Sequence, residues 1–456
     1  MATYNPVNPQ NGWELDLHSV YSAYIAWFQQ NGTPYWDEPW GEFFMDFQSF
    51  LYWGWPAITV TSVYEPYEPH IVTTLKSLHQ FLKMINTRYG QKMEEVANMT
   101  KIRPFERNPQ TMHYIDSISA YERLHATLPA VALAAQKKQI YAGSTRIIEM
   151  LWKAKDKTFL AIDFEWAERD PSSILEFGYA ALRARHLVKT GNWPPVPEDN
   201  YRRGHFVVAE HVDVVANKHC PTFPRSYAFG HTHVVPKHQF RHIIQSIIDS
   251  LASPDSQTQA NDLVLVAHGI SGDLKRLNEL QIRLPSNVLI LDTSSFEREL
   301  FRIGKGATTT DTATRQSRQA GSTLSLSNLL RSLNADTATF RFHNSGNDSF
   351  GALMCLQLLL EQNTTSKYLT RTTNTINGAS SVSNESEFVA YNGTVIVVGV
   401  ERREESTAYE AQVSQRATTI PRGRGHGRGR RGQRAHHQQI RRERRIEDDM
   451  RNLSFD

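Results

Sequence analysis

The 456 residues carry 50 Lys and Arg against 47 Asp and Glu, a formal charge of +3 that is unevenly spread. Residues 421–456 hold eleven Arg and five acids, a net +6, which leaves the preceding 420 residues at −3 and excludes a uniformly basic nucleic-acid coat. With 40% apolar residues, two cysteines and no apolar run near the roughly 20 residues of a membrane span, the composition excludes global disorder, a disulfide framework, a Cys-based zinc module and a transmembrane helix. The opening MATYNPVNPQ lacks the basic start and apolar stretch of a signal peptide, so the expectation is a soluble intracellular chain of two or three domains.

Residues 1–60 contain six of the nine Trp (Trp13, Trp27, Trp36, Trp40, Trp53, Trp55) without strand alternation, which predicts an aromatic packing segment; base stacking is the alternative use of such rings. Leu75, Leu78, Leu82 and Ile85 at helical spacing predict a helix within 70–98, and the Ala/Leu stretch 123–135 predicts another. Residues 1–150 are therefore expected to form an aromatic-rich, largely helical region to which no chemistry attaches. From 158 the pattern changes to three closely linked strand candidates, 158–165, 174–182 and 205–212, whose short connections suit antiparallel pairing. Helix 236–251, strand 263–268, helix 271–280, strand 288–293 and a further helix then alternate as parallel crossover units do. A Gly/Thr/Ser/Gln stretch, 304–323, reads as a flexible insertion; two helices follow, the second an apolar one over 347–361; 363–390 reads as a polar linker and 391–400 as a late strand. The expected α/β domain spans 151–400, with a mixed sheet, and 401–456 is expected to be a disordered Arg/Gly-rich tail.

Asp163 and Glu165 lie two apart on an apolar strand and so share one face. Two carboxylates so placed repel, and burying them requires a cation; hard oxygen ligands favour Mg²⁺ or Mn²⁺. An Asp-x-Glu triplet alone is weak, since about one is expected by chance at this length. Asp273 and Asp348 each open a predicted helix, where free amides and the dipole already favour a carboxylate. It is the joint occurrence that carries weight: an acidic pair on the first strand, an Asp after the fourth, then His343 five positions before Asp348.

That order, with the phrases AIDFEW, ILEFGYAAL, LVAHGISGDL, VLILDT and FHNSGNDS, resembles the DEDDh branch of the ribonuclease-H-like exonucleases over about residues 158–362. Within it, these phrases are most similar to fungal members of the mRNA-export-factor type. The resemblance implies a ribonuclease-H-like fold and two Mg²⁺ or Mn²⁺ ions per site. Asp163, Glu165 and Asp348 would bind one ion, Asp163 would also reach the second, and Asp273 would support it partly through water, with His343 as general base. It further implies stepwise 3′ to 5′ hydrolysis of single-stranded RNA or DNA, the ions flanking the scissile phosphate roughly 3.5 to 4 Å apart. Two positions depart from the pattern: Trp166 stands where Thr or Ser is common, and His268-Gly269 where other branches often carry Asn. Neither removes a ligand; both bear on substrate placement.

His231, His233, His238 and His242 form a second group. The last two, four apart on a predicted helix, could share a zinc ion, although the absence of an acid between them and Pro236 at the helix start favour solvated side chains. Cys220 and Cys355 read as core thiols rather than nucleophiles. In the tail, Arg422, Arg424, Arg428, Arg430, Arg431 and Arg434 alternate with Gly, a composition that binds RNA phosphates and bases with low sequence preference and also suits nuclear import. The sequence thus predicts a metal-dependent exonuclease, RNA favoured, in nucleus or cytoplasm, with a possible protein partner at the N-terminal region. The rival is a non-catalytic adaptor on the same fold, in mRNA export or RNA silencing; retention of four carboxylates and His343 favours the enzyme.

Overall fold

The computed structural model describes residues 14–369, except 62–67, 103–111, 307–317, 320, 339 and 362, together with the short strands 389–391 and 394–396. The tail 401–456, including the six arginines singled out above, lies outside the described residues, as do most of the expected insertion and linker.

The N-terminal region is richer in helix than in strand, but it also contains a five-stranded antiparallel sheet that local sequence pattern does not predict. Its strands are β1 (Glu14–Asp16), β2 (Trp55–Thr61), β3 (Pro69–Thr74), β4 (Lys101–Ile102) and β5 (His113–Ile115), in the order β4-β1-β3-β2-β5. Around it run α1 (Leu17–Gln30), α2 (Gly41–Phe44), α3 (Phe47–Leu51), α4 (Leu75–Tyr89), α5 (Ile118–His125), α6 (Leu128–Tyr141) and α7 (Thr145–Ala154). The helix expected within 70–98 is thus shorter. Its first residues, the β-branched run Ile71–Thr74, belong to β3, which pairs with β2, and Thr74 then caps α4 by accepting from Ser77 N. The aromatics are core: Tyr24, Phe28, Phe44, Phe50, Phe81 and Trp55 are fully buried, and Trp55 stacks on Phe50 while its indole N–H donates to the Phe50 carbonyl at 2.8 Å.

The second sheet has six strands, β6 (Thr158–Trp166), β7 (Ile174–Arg183), β8 (Arg202–Val208), β9 (Thr232–Val235), β10 (Leu263–Ala267) and β11 (Leu289–Asp292), in the order β11-β10-β6-β7-β8-β9. β6, β7 and β8 pair antiparallel, while β10 and β11 join β6 in parallel, giving the expected mixed ribonuclease-H-like sheet. The parallel edge strand β9 is additional; the strand expected to reach 212 stops at Val208, where the chain turns away. Helices α8 (Ala184–Lys189), α9 (Pro197–Asn200), α10 (Lys237–Leu251), α11 (Ser271–Glu279), α12 (Thr293–Arg302), α13 (Leu326–Ser332) and α14 (Ser345–Leu360) complete the α/β unit. Residues expected in a late strand fall on a hairpin of β12 (Val389–Tyr391) and β13 (Thr394–Ile396).

Strand alternation sorts the core into two layers. Leu160, Ile162, Phe164, Phe177 and Tyr179 face α10 and α11. Phe159, Ala161, Ala180 and Leu182 face the opposite way, against α14 and residues of α6, α7 and α12. The pleat therefore points Asp163 and Glu165 toward the α14 layer. α6 also touches β2 and β3, so it packs between the two sheets, and α7 runs across position 150. The end of the expected insertion is anchored: the Arg318 guanidinium forms two hydrogen bonds to the buried Glu297 carboxylate. The start of the expected linker is packed too, since Tyr368 lies edge-on to Phe229 and Phe340.

Candidate functional site

β6, α11 and α14 bring the acidic residues together. Asp163 sits opposite Gly178 on β7, and Glu165 opposite Glu176. A Cβ at Gly178 would lie 2.1 Å from the Ser345 carbonyl, and one at Gly346 would lie 2.6 Å from the Tyr227 ring. The missing side chains thus let the first turn of α14, with Asp348, rest directly on the sheet beside Asp163. Asn344 caps that turn by accepting from Asn347 N, and Asn347 in turn bonds Ala228 N, Ser226 O and Arg341 O. Asp273, in the first turn of α11, reaches β6 by accepting the Phe164 amide at 3.1 Å.

His343 has a left-handed backbone, φ 63°, which a histidine adopts more readily than bulkier residues. Its amide donates to Asp348 Oδ2 at 2.9 Å, and its half-exposed imidazole places Nδ1 3.9 Å from Glu165 Oε1. Glu165, His343 and Asp348 each offer a ligand atom within 4.8 Å of the others. Burial, first, and then mutual repulsion hold the Asp163 carboxyl well above the usual range and push Glu165 up to about 9. Burial likewise raises Asp273 to about 8 and Asp348 to about 7, against hydrogen bonds from Phe164 and His343 amides that pull the other way. Asp163 Oδ2 and Asp348 Oδ1 are sealed from solvent and lack a hydrogen-bond partner. Orphaned, hard oxygen atoms converging in one place are the donor set that a divalent cation takes, so the residues fit Mg²⁺ or Mn²⁺.

A fifth carboxylate joins the site without having been expected there. Glu176 is buried on β7 and bonds His205 Nε2 at 2.9 Å, while His205 Nδ1 meets Thr232 Oγ1 at 2.9 Å. Its other oxygen has no partner, and its charge raises the pKa of both Asp163 and Glu165. A lone Glu inside the apolar run ILEFGYAAL is the signal that could have found it.

The two departures from the family pattern have structural roles. Trp166 packs in the α11 layer with the Arg276 guanidinium 5.2 Å above its ring, closing the end of β6. His268 bridges Thr293 Oγ1 at 3.0 Å and the Leu324 carbonyl at 2.9 Å, and Gly269 takes the left-handed turn, φ 82°, that lets its amide reach Asp292. His238 and His242 line a surface cleft with Arg241 and Arg283, and His233 stacks on Phe206. Among the described residues no cluster of three potential metal ligands includes them.

The β8–β9 connection forms one wall. The Glu168 carboxylate accepts the amides of Lys218, His219 and Cys220, and Asn217 exchanges hydrogen bonds with Glu168 N and Trp166 O. This staple corrects the reading of Cys220 as a core thiol: it is exposed, with Sγ 3.4 Å from His343 Nδ1, and partial burial of the sulfur plus nearby carboxylates raise its pKa. Cys355 is a buried core thiol, as expected.

Residues 158–360 match the family model described as DNA polymerase III subunit epsilon-like, C-terminal domain (DEDDh_C). An uncharacterized nucleolar protein of Schizosaccharomyces pombe is 25% identical over 232 residues, 50% of this chain and 79% of the relative. An uncharacterized protein of Saccharomyces cerevisiae is 28% identical over 222 residues, 48% of this chain and 44% of the relative.

Proposed function

With residues 158–360 forming a domain of the DEDDh_C exonuclease family, we propose that the chain is a metal-dependent 3′ to 5′ exonuclease acting on single-stranded nucleic-acid ends, RNA favoured. The observation that carries this reading is the convergence of Asp163, Glu165, Asp273 and Asp348 with His343, two of the carboxylate oxygens being sealed and unpartnered. Asp163, Glu165 and Asp348 would hold one Mg²⁺ or Mn²⁺ and Asp163 with Asp273 a second, which when bound supply a lowered pKa for water and charge stabilisation at the phosphate.

The remaining work falls to the chain. His343 Nδ1 faces Glu165 and Cys220, which leaves Nε2 to accept the proton of the attacking water. Because the same residue's amide fixes Asp348, base and ligand are held in one frame. The stapled 217–220 loop and Trp166 bound the cleft on either side of β6, in positions to exclude solvent and orient a terminal nucleotide.

The Arg/Gly tail, Arg422 to Arg434 in particular, supports capture of single-stranded RNA. The same tail and the nucleolar description of one relative support a nuclear location. The test is incubation of the full chain with 3′- and 5′-labelled RNA and DNA in Mg²⁺, Mn²⁺ or EDTA, beside Asp163→Ala. Metal-dependent shortening from the 3′ end, lost in the variant, is expected. Binding without turnover in any metal would overturn catalysis in favour of the adaptor reading.

A further inference from the structure

Cys220 is not used by the proposed reaction, yet it stands against the proposed base. The loop that carries it is pinned by three amide hydrogen bonds to Glu168 and two through Asn217, so its position is built rather than incidental. Its sulfur lies 3.4 Å from His343 Nδ1, and that nitrogen lies 3.9 Å from Glu165 Oε1. Zn–S and Zn–N bonds of about 2.3 and 2.0 Å place sulfur and nitrogen about 3.5 Å apart on a tetrahedral zinc. Sulfur and imidazole thus already stand at ligand separation, and the gap to Glu165 needs to close by roughly half an ångström, a small movement for a half-exposed imidazole. Asp348 Oδ1, sealed and without a partner, supplies an independent open valence beside them.

We propose that Cys220, His343 and Glu165, with Asp348 in reach, form an inhibitory site for a thiophilic divalent cation such as Zn²⁺, overlapping the proposed catalytic centre. Zinc accepts thiolate and imidazole ligands, whereas Mg²⁺ favours oxygen alone. On binding, the Cys220 thiol loses its proton to solvent and a Zn–S bond forms. His343 Nδ1 and Glu165 are then engaged together, so that the imidazole is fixed away from water and Glu165 is unavailable to a catalytic ion. Inhibition rests on the exonuclease reading; the binding site does not.

The test separates the two. Reduced full-length protein, freed of metal, is titrated with Co²⁺ as a spectroscopic probe and with Zn²⁺ against a chromophoric chelator, with no nucleic acid present. A thiolate-to-cobalt charge-transfer band is expected in the wild type. Cys220→Ser, whose metal-free melting curve should match the wild type because the side chain is exposed, should lose the band and bind Zn²⁺ at least about tenfold more weakly. In Mg²⁺, Zn²⁺ should then inhibit wild-type hydrolysis at concentrations that leave Cys220→Ser active. A wild type without the band, or equal zinc affinity in the two proteins, overturns the zinc site whatever the activity. A band without hydrolysis in any metal leaves the zinc site standing and overturns the exonuclease reading instead.

Discussion

Replacing Gly178 by Ala adds one methyl group beside Asp163, where the first turn of α14 lies on the sheet. The new Cβ would meet the Ser345 carbonyl carbon and oxygen at 2.1 Å and Gly346 N at 2.3 Å, all backbone, whereas ordinary van der Waals separation begins at 3.4 Å. Side-chain rotation cannot relieve a clash with backbone, so the helix start must lift by more than an ångström. Overpacking of this kind costs about 1–3 kcal/mol. The same lift carries Asp348 away from Asp163 and Glu165, and a misplacement of about 1 Å at a reacting centre costs on the order of 100-fold in rate. Denaturant melts and metal-dependent hydrolysis of 3′-labelled RNA should therefore show a folded protein, destabilised by that amount, with activity reduced about 100-fold. A Gly178→Ala protein with wild-type stability and wild-type turnover would refute the claim that the bare strand position sets the helix.

Metal and pH should act jointly on stability. Asp163, Glu165, Asp273 and Asp348 all have raised pKa values in the fold, Glu165 to about 9, so the folded state binds more protons than the unfolded one above roughly pH 4. Stability without metal should fall as pH rises through that window, and Mg²⁺ should raise Tm more at pH 8 than at pH 5; a metal-induced shift independent of pH would contradict this. Glu168→Ala frees the amides of residues 218–220, so we expect KM to rise with Tm nearly unchanged, checked by steady-state kinetics and thermal melts. Removing residues 421–456 should weaken binding to single-stranded RNA and flatten its salt dependence by about 0.7 in slope for each phosphate that the tail no longer neutralises, measured by anisotropy at several salt concentrations.

The second sheet was legible because its strands obey simple rules: LVLVA is apolar throughout, as a central parallel strand buried on both faces is, and the acids of AIDFEW break an apolar run at period two. Asp273 and Asp348 were legible as helix openers, though that position alone explains them without chemistry. The N-terminal sheet was not legible, since β1, β4 and β5 span two or three residues each and are defined by pairing with distant segments rather than by local pattern. Cys220 meets His343 across 123 positions, through a loop whose place is set by Glu168 and Asn217, so spacing carries no trace of it. Glu176 was hidden by its strand: every residue from Ile174 to Leu182 is buried, which erases the alternation that exposed Asp163 and Glu165.

The position of α6 and α7 has a consequence for how the domain can exist. The family match begins at 158, yet Leu133, Ile140, Ile147, Ile148, Leu151 and Trp152 lie in the same buried layer as Phe159, Leu182, Val264 and Leu289. A fragment starting at 158 would present that sheet face to water, at about 1.5–3 kcal/mol for each large side chain uncovered. α6 also rests on β2 and β3, so the helices that seal the family domain are tied to the aromatic N-terminal core. Cutting the chain at the family boundary would therefore produce a sticky, weakened half rather than a free enzyme, and the first 157 residues serve as the missing wall of the domain that follows them.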